Sequence, residues 1–241
     1  MTRPPGGPEA RPVLSRLLDR LRPLPAVNHV AFGTFCHVAS SLRAAGLRRW
    51  TGPFDWIFSA PGLLAECLDD GFAGFLAPAA LRSVPADERL HGAKRQCHHV
   101  AYEARYGLPT LFNHHDPAGS RSDRRALGRA ARRMRRVLAG RGANHLYMMS
   151  EVTWPPGEIA GLARRLAAGP ARNTLVVITA RGGEPERAWR SERRPGPGCP
   201  VVAIDLRTRS RSNGVLFPDP EDEAFFQERL RDLAAALEAG A

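Results

Sequence analysis

The sequence predicts a single α/β (or α+β) domain, and three observations support this fold class. The chain has 241 residues, of which 43% are hydrophobic and 24% charged, so it can bury a sizeable core and bulk disorder is not expected. An apolar run at residues 27–35 changes to a helical pattern at residues 36–45. The second half alternates strand-like and helical segments: strands at 145–149, 174–179 and 201–206, helices at 156–168 and 221–237. This alternation predicts helices layered on a sheet.

The remaining segments complete the predicted organisation. The frequent prolines and glycines of residues 1–25 predict a disordered or partly helical lead-in. Residues 26–241 then form one domain, since neither an internal repeat nor a break in composition divides them. Further elements are expected as follows: helices at 61–69 and from Ser120 or Ser122 to 138, a short strand at 110–114, and a Gly/Pro/Arg-rich loop at 181–198.

Charge and cysteine content favour a cytoplasmic protein. The net charge is +11, and Lys94 is the single lysine. Such a charge attracts polyanions, but Ala, Gly, Pro and Arg are enriched together, as in a GC-rich coding sequence, so the signal is weak. We find neither the apolar run of a signal peptide nor a membrane span, and expect no membrane partner. Four widely spaced cysteines favour free thiols in a reducing compartment.

Cys36 is the candidate nucleophile because it stands where a strand gives way to a helix. Backbone N–H groups and the helix dipole stabilise an anion at that position, which predicts a lowered thiol pKa. A thiolate with a neighbouring imidazole can carry out acyl transfer. The alternative is a small buried thiol that fills space at the junction, and free cysteines are more often of that kind.

Two sequence blocks carry a family resemblance. The first is Gly33-x-x-Cys36-x-x-Ala39-x-x-Leu42-Arg43-x-x-Gly46-Leu47-Arg48, and the second is Gly52-Pro53-Phe54-Asp55-Trp56. With a later His115-Asp116 and an arginine-rich helix, they resemble a bacterial family of unknown function described as putative papain-like cysteine peptidases. The resemblance covers roughly residues 28–140. It implies a papain-like arrangement, in which a Cys-bearing helix packs against a small sheet.

The resemblance also implies the site residues. Cys36 would act with His115, although the adjacent His114 leaves the register open by one residue. Neighbouring side chains on a strand point to opposite faces, so only one of His114 and His115 can face the thiol. Asp55 is the first choice for the third residue, with an ordinary turn carboxylate as the alternative. Asp116 and Asp205 are further candidates.

The function predicted on this basis is a cysteine hydrolase (peptidase or amidase) or an acyltransferase that acts through a Cys-His pair and a thioester. Its substrate would be a small molecule or a peptide. The alternative is a basic protein that binds polyanions or nucleic acid, or a scaffold without catalysis; no nucleic-acid-binding motif supports the former. His98 and His99 lack a supporting carboxylate cluster, and Gly182-Gly183 forms no phosphate-binding motif, so we expect neither metal nor cofactor.

Overall fold

The computed structural model describes residues 25–90, 92–195 and 198–240; the predicted lead-in lies almost entirely outside them. Seven strands are found in this part of the chain: β1 Val27–Ala31, β2 Leu81–Ser83, β3 Cys97–His99, β4 Ala143–Ser150, β5 Arg172–Gly182, β6 Ala188–Arg194 and β7 Val201–Thr208. Six α-helices accompany them: α1 Cys36–Ala44, α2 Pro61–Asp69, α3 Val100–Tyr106, α4 Arg121–Leu138, α5 Pro156–Leu166 and α6 Pro220–Ala239.

A five-stranded sheet in the order β1-β4-β5-β7-β6 forms the centre of the fold, which confirms the predicted α/β class. The first four strands run parallel, and β6 joins β7 antiparallel. A separate antiparallel pair, β2 and β3, lies outside it. Because the parallel strands share one direction, their carboxyl ends meet at one edge of the sheet, and α1 begins beyond the end of β1 at that edge. We call this the carboxyl edge and the opposite one the amino edge.

Helices cover both faces of the large sheet. Along β4 successive side chains alternate between the faces, as strand geometry requires: Leu146 and Met148 join one core, Tyr147 and Met149 the other. The first core takes side chains from α2, α4 and α5, and the second takes them from α1 and α6. The helix that carries Cys36 therefore packs against the large sheet.

Most predicted elements are present within a few residues of their expected bounds. Helix α2 spans the predicted residues, and Ser120 caps α4 by accepting a hydrogen bond from the Asp123 N–H at 3.3 Å. The expected loop at 181–198 was wrong, because it contains β6. This strand lies at the sheet edge and is largely exposed, so it lacks the apolar alternation that marks a half-buried strand. The short strand at 110–114 is reduced to one bridge between Phe112 and Cys97.

Within the described ranges, no helix has both the length and the apolar character needed to cross a membrane.

Candidate active site

A strained turn joins β1 to α1. Gly33 has φ +84° and Thr34 has φ +76°, so both occupy the left-handed region. A Cβ atom on Gly33 would lie 2.1 Å from Ser59 Oγ, so only glycine fits there. A left-handed threonine is costly and persists only where its surroundings enforce it. The spacing from Gly33 to Cys36 in the first sequence block therefore corresponds to a tight strand–turn–helix connection.

Hydrogen bonds hold Thr34 in this conformation. Its N–H donates to Ser59 Oγ at 2.8 Å, and its Oγ1 accepts from the Met149 N–H at 3.0 Å. Its hydroxyl also contacts the Met149 carbonyl oxygen. Since Met149 lies near the end of β4, these bonds fix the turn against two other segments of the carboxyl edge.

Cys36 is the first residue of α1 and is 4% exposed. Phe35 before it is extended and provides no side-chain cap, which leaves first-turn N–H groups without an intrahelical partner. Burial raises the pKa of the Cys36 thiol to about 11, and the charge of Asp55 adds to the increase. The expected lowering of this pKa was therefore wrong, because desolvation of the thiolate outweighs the favourable helix start.

Asp55 organises the turn that follows α1. Its Oδ2 accepts hydrogen bonds from Arg48 Nη1 at 2.5 Å and from the Gly52 N–H at 3.1 Å. The side chain is 1% exposed, and its Oδ1 is buried without a hydrogen-bond partner. Burial outweighs the attraction of Arg48 and raises the pKa of Asp55 to about 6. These contacts match the interpretation of Asp55 as a turn carboxylate, while its charge also reaches Cys36.

The two adjacent histidines have different surroundings. The His114 ring meets Trp56 edge-on, with ring centroids 6.0 Å apart. His115 lines a cavity of about 260 Å³ between the Thr51–Ile57 segment and α4. Its Nδ1 is buried without a hydrogen bond and lies 3.9 Å from Asp123 Oδ1. Burial lowers the pKa of both imidazoles, so both are neutral at pH 7.

The structure brings Cys36 and Asp55 into electrostatic contact, but in the described part of the chain no hydrogen bond or ring contact joins Cys36 to His114 or His115. Residues 52–57 are common to both neighbourhoods. Asp55 affects the thiol, whereas Trp56 packs on His114 and lines the cavity beside His115. The nucleophile and the candidate bases are thus linked through this segment.

Asp123 is a carboxylate near His115 that the sequence interpretation did not select. It accepts a hydrogen bond from the Asp116 N–H at 2.8 Å and pairs with Arg95 at 2.9 Å. Asp116 itself bonds Ser83 Oγ and the N–H of Gly119. The sequence does place Asp123 in the first turn of a predicted helix a few residues after His115, and this position could have identified it. Its distance makes it a better partner for His115 than Asp116.

Asp205 serves another purpose. Its carboxylate on β7 pairs with Arg181 of β5 at 2.9 Å and with Arg207 of the same strand at 3.2 Å. Neither of these partners is a histidine or Cys36. The arrangement stabilises the pairing of these strands.

His37, which follows Cys36 in α1, is fully buried, and both of its ring nitrogens are hydrogen-bonded. His37 Nδ1 lies 2.8 Å from Ser212 Oγ, and its Nε2 lies 3.0 Å from Glu223 Oε2. Phe217 and Phe226 pack edge-on against the ring. The sequence interpretation missed this chain of bonds because Ser212 and Glu223 are distant in sequence. It ties the start of α1 to the loop after β7 and to α6.

A known protein family is similar to part of the chain. Residues 27–139 match the model of a family described as putative papain-like cysteine peptidase. This range includes Cys36, Asp55, both histidines and Asp123. No curated protein and no solved structure matches the chain. Within the described residues, no group of three or more His, Cys, Asp or Glu side chains could hold a metal ion.

Proposed function

We propose, because residues 27–139 match the model of a family described as putative papain-like cysteine peptidase, that this protein is a cysteine hydrolase or acyltransferase with Cys36 as its nucleophile. The observation that carries the proposal is the strained Gly33–Thr34 turn, which sets the thiol at the start of α1 on the carboxyl edge. Open α/β sheets bind ligands outside the carboxyl ends of their strands. Strain that is held by several hydrogen bonds is typical of functional turns.

In the proposed reaction, the Cys36 sulfur attacks the carbonyl carbon of an amide or ester while His115 accepts the thiol proton. First-turn N–H groups of α1 donate hydrogen bonds to the oxyanion that forms. When the tetrahedral intermediate collapses, the carbon–nitrogen or carbon–oxygen bond breaks, and the leaving group takes the proton from His115. Water or a second nucleophile then attacks the thioester and releases Cys36 as a thiol.

The raised thiol pKa makes a base necessary. With a pKa of about 11, Cys36 is protonated at neutral pH, so attack requires removal of its proton in the same step. His115 is neutral at this pH because burial lowers its pKa, and it can therefore accept a proton. Asp123 lies 3.9 Å from His115 Nδ1 and would stabilise the imidazolium that results.

The proton transfer requires His115 to approach Cys36, because the two are not hydrogen-bonded in this structure. Residues 52–57 contact the surroundings of both, and we infer that movement of this segment in the free protein brings His115 to Cys36. The cavity of about 260 Å³ beside His115 is lined by Trp56 and by Arg129 and Arg133 of α4. Its size suits a small amide or ester, or one side chain of a peptide.

Alkylation kinetics test the proposal. We expect iodoacetamide to label Cys36 faster than Cys67, Cys97 or Cys199 in the folded protein near pH 7, as mapped by mass spectrometry. All four thiols are buried, so faster labelling of Cys36 would reflect activation by a nearby base rather than general exposure. Faster labelling of another cysteine would contradict the proposal.

Variants of the two histidines identify the base. His115→Ala is expected to slow Cys36 alkylation at neutral pH about tenfold or more, in line with the loss of a general base. His114→Ala is the matched control, since its ring packs on Trp56, and should change the rate less than twofold. The reverse result would transfer the role to His114. Unchanged rates in both variants would leave Cys36 as a structural thiol.

A second candidate function rests on helix α4. One side of this helix exposes six arginines: Arg121, Arg125, Arg129, Arg132, Arg135 and Arg136. Such a face favours binding to a polyanion through its phosphate charges. Retardation of nucleic acid at physiological salt that is unchanged in Cys36→Ala, but lost when Arg132 and Arg136 are both replaced by alanine, would support this function.

A further inference from the structure

A second cavity lies at the amino edge of the sheet, remote in the fold from Cys36. Its volume is about 370 Å³, and it is lined by the beginnings of β4 and β5, the segment before β7, the end of β6, and the last turns of α5 and α6. The end of β6, rather than its beginning, reaches the amino edge because β6 runs antiparallel to β7.

His145 is the unusual residue in this cavity. It is 3% exposed, yet neither of its ring nitrogens has a hydrogen-bond partner. Burial lowers its pKa to about 4, with a smaller contribution from His29, so the ring is neutral at pH 7 and offers one N–H donor and one acceptor nitrogen. Leaving a buried polar group without a partner costs stability. A ligand that bonds the ring would remove this cost.

Two polar side chains near His145, those of Asn173 and His29, already have hydrogen-bond partners. The Asn173 amide accepts from Asn144 at 2.8 Å and donates to the Leu166 carbonyl oxygen at 2.6 Å. His29, which lies 5.1 Å from His145 between ring centroids, bonds Tyr147 and Glu238. The unsatisfied hydrogen-bonding capacity is thus concentrated on His145.

The cavity is bordered by two positively charged arginines and by the C-terminal ends of two helices. Arg172 at the start of β5 and Arg193 near the end of β6 both line it, and no ion pair among the described residues uses either guanidinium. Guanidinium groups bind carboxylate and phosphate well. The ends of α5 and α6 also line the cavity. Helix C-termini carry carbonyl oxygens without intrahelical partners, which have partial negative charge and can accept hydrogen bonds from hydroxyl groups.

We propose that this amino-edge cavity binds a small hydroxylated molecule that carries an oxyanion, a phosphate or carboxylate. Arg172 and Arg193 hold the oxyanion, and His145 and the helix ends bond the hydroxyl groups. A cavity of about 370 Å³ has room for a small hydroxylated molecule together with its charged group. The site is separate from the proposed chemistry of Cys36 and does not depend on it.

Calorimetric titration of the full chain with glycerol 3-phosphate tests the site, with glycerate, inorganic phosphate and glycerol as comparison probes. We expect saturable binding of glycerol 3-phosphate or glycerate, weaker binding of phosphate, and none of glycerol. The stronger of the first two identifies the oxyanion. Absence of saturable binding for both would overturn the proposal, and equal affinity for inorganic phosphate would overturn the assignment of the hydroxyl contacts.

Variants separate the cavity from general attraction to a basic protein. Arg172→Ala and Arg193→Ala should each weaken binding at least tenfold. Arg190→Ala is the matched control, because Arg190 is exposed on β6 outside the cavity, and it should change binding less than twofold. Equal effects of the three variants would show nonspecific charge attraction and overturn the proposal. Ligand-dependent shifts of the His145 ring signals in NMR spectra, with binding unchanged in Cys36→Ala, would place the ligand at this cavity.

Discussion

The turn at the carboxyl edge of the sheet and one histidine at the amino edge differ in how their buried polar atoms are bonded. At the carboxyl edge, Thr34 and His37 have all their polar side-chain atoms hydrogen-bonded, and the backbone is strained. At the amino edge, His145 has no hydrogen bond and borders a cavity. Strain held by a complete set of bonds fixes one side chain in place, which suits a nucleophile. An unsatisfied group next to open space suits a ligand that arrives from outside.

The largest effect is expected at the turn of the carboxyl edge. Gly33→Ala combines a left-handed backbone with a Cβ only 2.1 Å from Ser59 Oγ, and should destabilise the protein by about 3 kcal/mol or more. Gly46→Ala is the control, because Gly46 is left-handed at φ +73° but has open space around its Cβ position. It should cost about 1–2 kcal/mol.

Urea denaturation of both variants measures this difference. Equal costs would mean that the close approach to Ser59 relaxes easily and that the turn is not rigid.

Paired substitutions of buried histidines compare the two edges directly. His37→Leu removes bonds to Ser212 and Glu223 and should cost about 2–4 kcal/mol. His145→Leu removes no hydrogen bond and should change the free energy of unfolding by less than about 1 kcal/mol in either direction. Thermal and urea unfolding give both values. A large loss in His145→Leu would show that the ring has partners in solution.

The pH dependence of stability compares the edges in sign, because Asp55 and His145 have folded pKa values shifted in ways that give opposite slopes. Asp55 has a folded pKa of about 6, above its ordinary value of 3.8, so the folded state retains a proton that the unfolded state loses. Its contribution to stability is therefore lost as pH rises from about 4 to 6. Asp55→Asn should remove this slope, whatever constant offset the lost bond to Arg48 adds.

His145 has a folded pKa of about 4, below its ordinary value of 6.5, so the unfolded state binds a proton first as the pH falls. Stability is therefore lost as pH falls from 6.5 to 4, and His145→Leu should flatten the curve in that range. Unfolding free energies of both variants and the parent, measured at intervals of half a pH unit, check the two signs. Slopes of the same sign would contradict the contrast between the edges.

The sequence alone determined the fold class, most element bounds and the position of Cys36 at a strand–helix junction. These depend on local periodicity, on Pro61 and Ser120 at helix starts, and on the block from Gly33 to Trp56. Such features involve residues close together in the chain, so a single sequence reveals them. The exposed edge strand β6 carries no such pattern and was missed.

Tertiary structure decided the state of each side chain. Burial, which no local pattern measures, raised the pKa of Cys36 instead of lowering it. Long-range contacts placed Asp123 near His115, bonded Asp55 to Arg48, and enclosed His145 at the opposite edge of the sheet. Desolvation and hydrogen-bond partners depend on segments that are distant in sequence and meet only in the folded chain.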